Sequence, residues 1–243
     1  MRRLLFLAPL LATSACGVGD VPLGETAARA RTIPPNQVLD FKVLYSRNCA
    51  GCHGENGKGG AAIGLADPVY LATADDTAIR RVTAEGVRGT SMPAFAQSSG
   101  GLLTDDQINA IVHGIRSSWA KPDALQGAVP PPYSAAQPGD PHRGATAFGV
   151  FCSSCHGADG RGGTKASSIV DGYYLSLVSD QSLRTTTIAG RPDLGSPDWR
   201  NDVPGKPMSP QDVSDVVAWL SAQRPTFAGP SYSSALQTPG GRQ

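Results

Sequence analysis

Cys49-Ala50-Gly51-Cys52-His53 and Cys152-Ser153-Ser154-Cys155-His156 decide the reading of this chain. In each stretch two cysteines stand three apart, on one turn, with a histidine directly after. A Cys-x-x-Cys pair serves as half of a zinc site or as a redox dithiol. With the trailing histidine it is the attachment point of a covalent haem. Zinc needs further ligands near each pair, and thioredoxin-like dithiols sit on folds with strands. Two motifs at equivalent points of a repeat point instead to haem. Thioether bonds from Cys49 and Cys52, and from Cys152 and Cys155, would fix two haem c groups. His53 and His156 then swing under each iron as the proximal ligand.

Working outward, the chain repeats itself. Residues 36–119 form one unit and 140–225 the second. Between them, 120–139 carries Pro122, Pro130, Pro131, Pro132 and Pro138, the composition of a semi-rigid spacer. Val38, Phe41, Leu44 and Tyr45 give the first unit an apolar stripe at helical spacing that runs into Cys49. Ala145, Phe148 and Phe151 do the same before Cys152. Middle helices are expected around Asp75–Glu85 and Asp180–Ala189. The last helix of unit one begins at Thr104, with Gln107 completing a capping box; Ile108, Ile111, Val112 and Ile115 face its core. Ser209 caps the matching helix of unit two, with Pro210 at its first position and Val213, Val216, Val217 and Leu220 inside. With no convincing strands, the fold class is all-α: two small helical domains in tandem, each wrapped around a covalent haem. Gly54, Gly57, Gly59 and Gly60 match Gly157, Gly160, Gly162 and Gly163, allowing tight turns where backbone passes the porphyrin.

The N-terminus reads as an export signal. Met1-Arg2-Arg3 is basic, and the apolar run Leu4–Ala12 is too short to span a bilayer. It ends in Thr13-Ser14-Ala15-Cys16, which resembles a lipoprotein signal cut before an acylated cysteine, although Thr13 stands where such signals carry Leu. Ordinary cleavage after Ala15 is the alternative. Residues 1–15 are then the signal, 16–35 a tether lipidated at Cys16, and 226–243 a flexible tail. Export places the protein on the periplasmic or extracytoplasmic face, where c-type haem is attached.

With 243 residues, one or two domains of roughly 100–200 residues each are expected. Only 6% of residues are aromatic, a lean supply for two cores, which a large apolar cofactor would supplement. A net charge of +1 gives nothing that points to a nucleic-acid partner, and none is expected.

Both units resemble class I cytochrome c domains, and the resemblance covers most of the mature chain. In that family a methionine ahead of the last helix supplies the sixth iron ligand, often as Met-Pro; Ser91-Met92-Pro93-Ala94-Phe95 matches. From Tyr70 to Phe95 the repeat aligns at an offset of 104, so Tyr70 meets Tyr174, Gly86 meets Gly190 and Pro93 meets Pro197. At that offset Met92 meets Ser196. Met208 is the one methionine of unit two and falls opposite Leu103. Either the loop from Pro197 to Pro207 rearranges and Met208 ligates the second iron, or Met208 is a core residue at the helix entry. Arg80, Arg184 and Arg191 are candidates to pair with haem propionates. Tyr173, Tyr174 and Trp199 are candidates to line the haem pocket or the core. His113 and His142 read as surface residues.

The resemblance implies electron transfer and no substrate chemistry. It implies a membrane redox partner, either a quinol-oxidising complex or a terminal oxidase, or another cytochrome. Membrane contact would come through a lipid on Cys16. The chain is similar to cytochrome subunits that accompany alternative complex III and haem-copper oxidases. The rival class is a peroxidase-like haem enzyme or small-ligand sensor using an open second iron. No acid–base constellation beside the second motif supports it.

Overall fold

The computed structural model describes residues 33–226, which leaves the signal, Cys16, most of the tether and the tail outside the described residues. From Pro35 onward the chain forms one compact unit containing both repeats. The first repeat holds α1 (Phe41–Asn48), α2 (Ala50–His53), α3 (Pro68–Thr73), α4 (Asp76–Glu85) and α5 (Asp105–Trp119). The second holds α6 (Pro141–Phe151), α7 (Ser153–His156), α8 (Gly172–Leu177), α9 (Asp180–Ala189) and α10 (Pro210–Ser221). Among the described residues the only extended pairings are isolated bridges, such as Ala96 with Leu103 and Arg191 with Ser196.

Side-chain caps set most helix starts. Asp67 accepts from the amides of Val69 and Tyr70 at 2.9 and 2.8 Å to open α3, and Asp171 accepts from Tyr173 and Tyr174 at 3.0 Å each to open α8. Such caps satisfy amides that have no partner inside the helix. The capping boxes of Thr104 with Gln107 and of Ser209 with Asp212 both form. Val38 lies ahead of α1 rather than inside it. The six-residue α3 and α8 were not expected, because so short a helix shows no 3.6-residue period.

The first and last helices of each repeat cross and build its core, α1 on α5 and α6 on α10. The two crossings solve one packing problem in opposite ways. In the first repeat Phe41 lies on Gly114, where an added Cβ would stand 2.1 Å from the ring. In the second the small residue is Gly144 on α6, where an added Cβ would stand 2.1 Å from the Asp215 carbonyl oxygen and 2.7 Å from the Cβ of Trp219, the large residue on α10. Interiors packed like crystals require such a trade of volume.

The Pro-rich connection is tied down rather than free. Pro131 is fully buried. Arg184 of α9 donates to the carbonyls of Pro132 (2.8 Å) and Tyr133 (3.1 Å), and Gln181 donates to Tyr133 at 2.8 Å. Arg200 donates to Leu125 at 2.9 Å. The connection is thus hydrogen-bonded to the second repeat while lying beside Asp67–Val69 of the first, and α3 of the first repeat packs against α9 of the second.

Candidate haem sites

Each Cys-x-x-Cys-His stretch is a single helical turn. Cys49 ends α1 and begins α2, and the His53 amide donates to the Cys49 carbonyl at 3.0 Å. Cys152 and His156 repeat this at 3.1 Å. The Nδ1 of His53 lies 2.9 Å from the Ile63 carbonyl, and that of His156 lies 3.0 Å from the Ser167 carbonyl. A carbonyl only accepts, so Nδ1 carries the proton and Nε2 is left with its lone pair. This is how histidines that bind metal are oriented. Burial lowers the His53 pKa and keeps its ring neutral, the form that binds iron. Gly60 lies so close to the motif that a Cβ there would stand 2.1 Å from the Cys52 carbonyl oxygen.

The competing chemistries fail on the same geometry. All four motif cysteines are free, and burial pushes the thiols of Cys49 to about 11 and Cys152 to about 12. An activated redox dithiol is shifted the other way. No group of three or more histidine, cysteine or acidic side chains able to hold a metal ion occurs among the described residues, so no zinc site forms. The two turns fit a covalent haem: paired thiols on one turn, then an oriented imidazole with a free nitrogen.

Ahead of each last helix runs a strap, and the two straps share one backbone bond at equivalent residues. The Val87 amide donates to the Met92 carbonyl at 3.0 Å, and the Arg191 amide donates to the Ser196 carbonyl at 3.0 Å. Gly86 and Gly190, at φ +66° and +71°, pass against the strap where any Cβ would strike Pro93 or Pro197. Ser196 therefore stands in space where Met92 stands. Met208 takes a different slot. Its amide donates to the Trp199 carbonyl at 2.9 Å, as the amide of Leu103 does to Phe95 at 2.8 Å. Met208 is 3% exposed and Leu103 is 7% exposed. Of the two placements open for Met208, the backbone adopts the core slot at the helix entry. The loop does not carry Met208 to the position of Met92, which favours the core reading over ligation of the second iron.

The arginines are committed elsewhere. Arg80 pairs with Asp105 at 2.7 Å, and Arg184 is spent on the Pro-rich connection and Ser214. Arg191 pairs with Asp193 at 2.8 Å and reaches into the first repeat, donating to the Gly60 carbonyl at 2.9 Å. Asp193 accepts from the Gly59 amide at 3.0 Å. The strap of the second motif is thereby bonded to the glycine loop of the first. Nothing in the sequence marks this contact, because its partners lie more than 130 residues apart. Trp199 is buried, and Tyr173, His113 and His142 are exposed.

Two family descriptions match the chain: cytochrome c oxidase, cbb3-type, subunit III, over residues 36–113, and cytochrome c, over residues 141–223. The chain thus belongs to the c-type cytochromes, as two cytochrome c domains in tandem with one covalent haem c for each. Among curated relatives, the cbb3-type cytochrome c oxidase subunit FixP of Azorhizobium caulinodans is 26% identical over 88% of this chain and 69% of its own length. The subunit CcoP of Cereibacter sphaeroides is 28% identical over 60% of this chain and 48% of its own length. The chain therefore spans between about half and two thirds of those relatives. A solved chain of the Kuenenia stuttgartiensis reducing HAO-like protein complex Kustc0457/Kustc0458 superposes with a TM-score of 0.41 at 18% identity, over 76% of this chain and 96% of that one. A likeness at that level carries no argument.

Proposed function

We propose that this chain is an electron relay on the outer face of a membrane, feeding a haem-copper terminal oxidase. Its relatives are subunits of cbb3-type oxidases, which favours that partner over a quinol-oxidising complex. The observation that carries the reading is the pair of equivalent Cys-x-x-Cys-His turns, each with its histidine oriented by a backbone carbonyl, in one packed unit. Cys49, Cys52, Cys152 and Cys155 hold the haems, and His53 and His156 are the proximal ligands. Met92 would supply the sixth ligand of the first iron. Each haem, when bound, supplies an iron that takes up and returns one electron. The protein's part is to orient the imidazoles, exclude water and hold the two centres at a fixed separation through α3, α9 and the Arg191–Asp193 contact.

Because Ser196 replaces the methionine of the first strap, the two haems have unequal potentials, with the first the higher; a methionine–histidine pair raises the potential. Among the described residues no helix is long and apolar enough to cross a membrane. The membrane connection is proposed to be a lipid on Cys16, read by mass spectrometry as a diacylglyceryl adduct on the mature N-terminus.

The test of relay is kinetic. The purified holoprotein, titrated potentiometrically, should give two one-electron steps of equal amplitude. After rapid reduction of one haem, the electron should reach the other at a rate independent of protein concentration. A rate proportional to concentration would mean that the haems communicate only between molecules, and would end the relay reading.

A further inference from the structure

The repeat makes each half of the chain a control for the other, and one helix face breaks the equivalence. In the first repeat α3 is covered: Asp67, Val69 and Tyr70 are all buried. Val69 shares a cleft with Ala189 and Pro192 of the second repeat and with Lys121–Ala124 of the connection, and α9 packs on the same helix. In the second repeat α8 has the same cap, the same hydrogen bonds and the same anchor at its C-terminal end. Arg224 donates to the Leu175 and Val178 carbonyls as Arg116 donates to those of Leu71 and Ala74. Yet the equivalent face is open. Tyr173 is 78% exposed where Val69 is 7% exposed, Leu177 is 53% exposed, and Asp171 and Tyr174 are exposed too. Position 69 points out of its own repeat toward a neighbouring cytochrome c domain, and position 173 points the same way with no such neighbour among the described residues. Two of the open positions carry larger side chains than their counterparts, Tyr173 for Val69 and Leu177 for Thr73, and Tyr174 matches Tyr70; tyrosine is enriched at the centre of protein interfaces.

Resting on the relay reading, we propose that the α8 face of Tyr173, Tyr174 and Leu177 docks a third cytochrome c domain, that of a redox partner, seated on α8 as the second repeat is seated on α3. The occupant is another protein and not a second copy. The helix that covers α3 is α9, which presents Gln181, Thr185 and Ala189, a small and uncharged face. In a second copy that face is already taken by its own α3. Its other candidate, α4, carries Thr77, Arg81 and Glu85 at the same positions, all exposed. Burying Arg81 and Glu85 unpaired against two tyrosines and a leucine would be costly. Docking by the internal rule would seat the partner's attachment motif relative to Cys152–His156 as that motif stands relative to Cys49–His53.

The test replaces Tyr173 with the photo-crosslinking amino acid p-benzoylphenylalanine in the full-length chain, in its native membranes, with Leu102, equally open but on the first repeat, as control. Illumination should produce an adduct from position 173, absent from position 102. Mass spectrometry should find in it a Cys-x-x-Cys-His peptide carrying haem that is foreign to this chain. An adduct only within this chain or with a second copy, an adduct with a protein lacking haem, or no adduct overturns the proposal. A double variant, Tyr173→Ser with Leu177→Ser, should keep two haems and unchanged spectra while slowing exchange between the second haem and the membrane partner at least tenfold; an unchanged rate overturns the proposal as well. Failure of the relay reading itself would show separately, as a haem content other than two per chain or as absent transfer between the chain's own haems.

Discussion

Exchange of Met208 for leucine tests the assignment of the second haem most directly. Met208 sits in the slot that leucine already fills in the first repeat: the same backbone bond, to Trp199 instead of Phe95, and the same burial, 3% against 7%. A leucine–methionine exchange in a core conserves volume and costs less than about 1.5 kcal/mol. With Leu103 as native precedent, Met208→Leu should fall at the low end of that range. Met208→Ala empties a fully enclosed site and should cost about 2–5 kcal/mol. The assay is urea unfolding of the holoprotein, run beside the near-infrared band of iron bound to a thioether sulfur. The wild type should show that band at the intensity of one haem per chain. Met92→Leu should abolish it, and Met208→Leu should leave both its intensity and the spin state unchanged. A wild-type band worth two haems, halved by Met208→Leu, would refute the core assignment and put Met208 on the second iron.

Three further outcomes follow from the geometry. Asp193→Ala removes the acceptor of the Gly59 amide and the partner of Arg191, a charged contact partly open to water, and should cost about 1–2 kcal/mol and slow transfer between the haems. The Arg191 guanidinium holds the Asp193 carboxyl at about 2, below its ordinary 3.8, so this stabilisation is present above about pH 4 and is lost as pH falls toward 2; an acid titration in which wild type and variant stay equally far apart down to pH 2 would contradict it. Burial, with the nearby Asp198 charge, pushes Asp202 up to about 7, so the folded chain keeps a proton the unfolded chain has released: stability falls as pH rises from about 4 to about 7, and Asp202→Asn should flatten that fall in urea midpoints measured across the range. Gly114→Ala drives a Cβ into the Phe41 ring and should lower stability by about 1–3 kcal/mol by thermal denaturation, with an unchanged melting temperature showing that the ring is free to move aside.

How much of this was legible in the chain depends on the range of each interaction. The capping boxes at Thr104 and Ser209, the apolar stripes of the last helices and the two attachment motifs are local patterns, written within a few residues, and the helices form where those patterns lie. The offset of 104 also carried structure: it paired Met92 with Ser196, and the straps share an equivalent backbone bond at those residues. The short helices α3 and α8 left no periodic signal, and Arg116 and Arg224 bind carbonyls more than 40 residues away, with neither partner marked by type or spacing. The arginines read as candidates for haem propionates illustrate the same limit. A cation's partner is chosen by the fold, and Arg184 and Arg191 found backbone carbonyls in the connection and in the other repeat.

The repeat also shows how a duplicated domain acquires direction. Two identical halves would offer identical faces, and nothing would distinguish an entry from an exit for electrons. Here the halves differ at three places that bear on transfer. The strap residue is Met92 in one and Ser196 in the other. The face of the third helix is closed on α3 and open on α8. The strap loop of the second repeat reaches across to bond the first repeat's glycine loop, whereas the first repeat's own strap has a hydrophobic Val87 where Arg191 makes that reach. Two of the differences are side-chain changes and the other is the presence of a neighbour, so the asymmetry leaves the helical framework of each repeat in place. Exchange of Ser196 for methionine, the residue of the first strap, would undo the first of them alone. It should raise the potential of the second haem toward that of the first and leave the packing of the repeats, and the exposure of Tyr173, as they are.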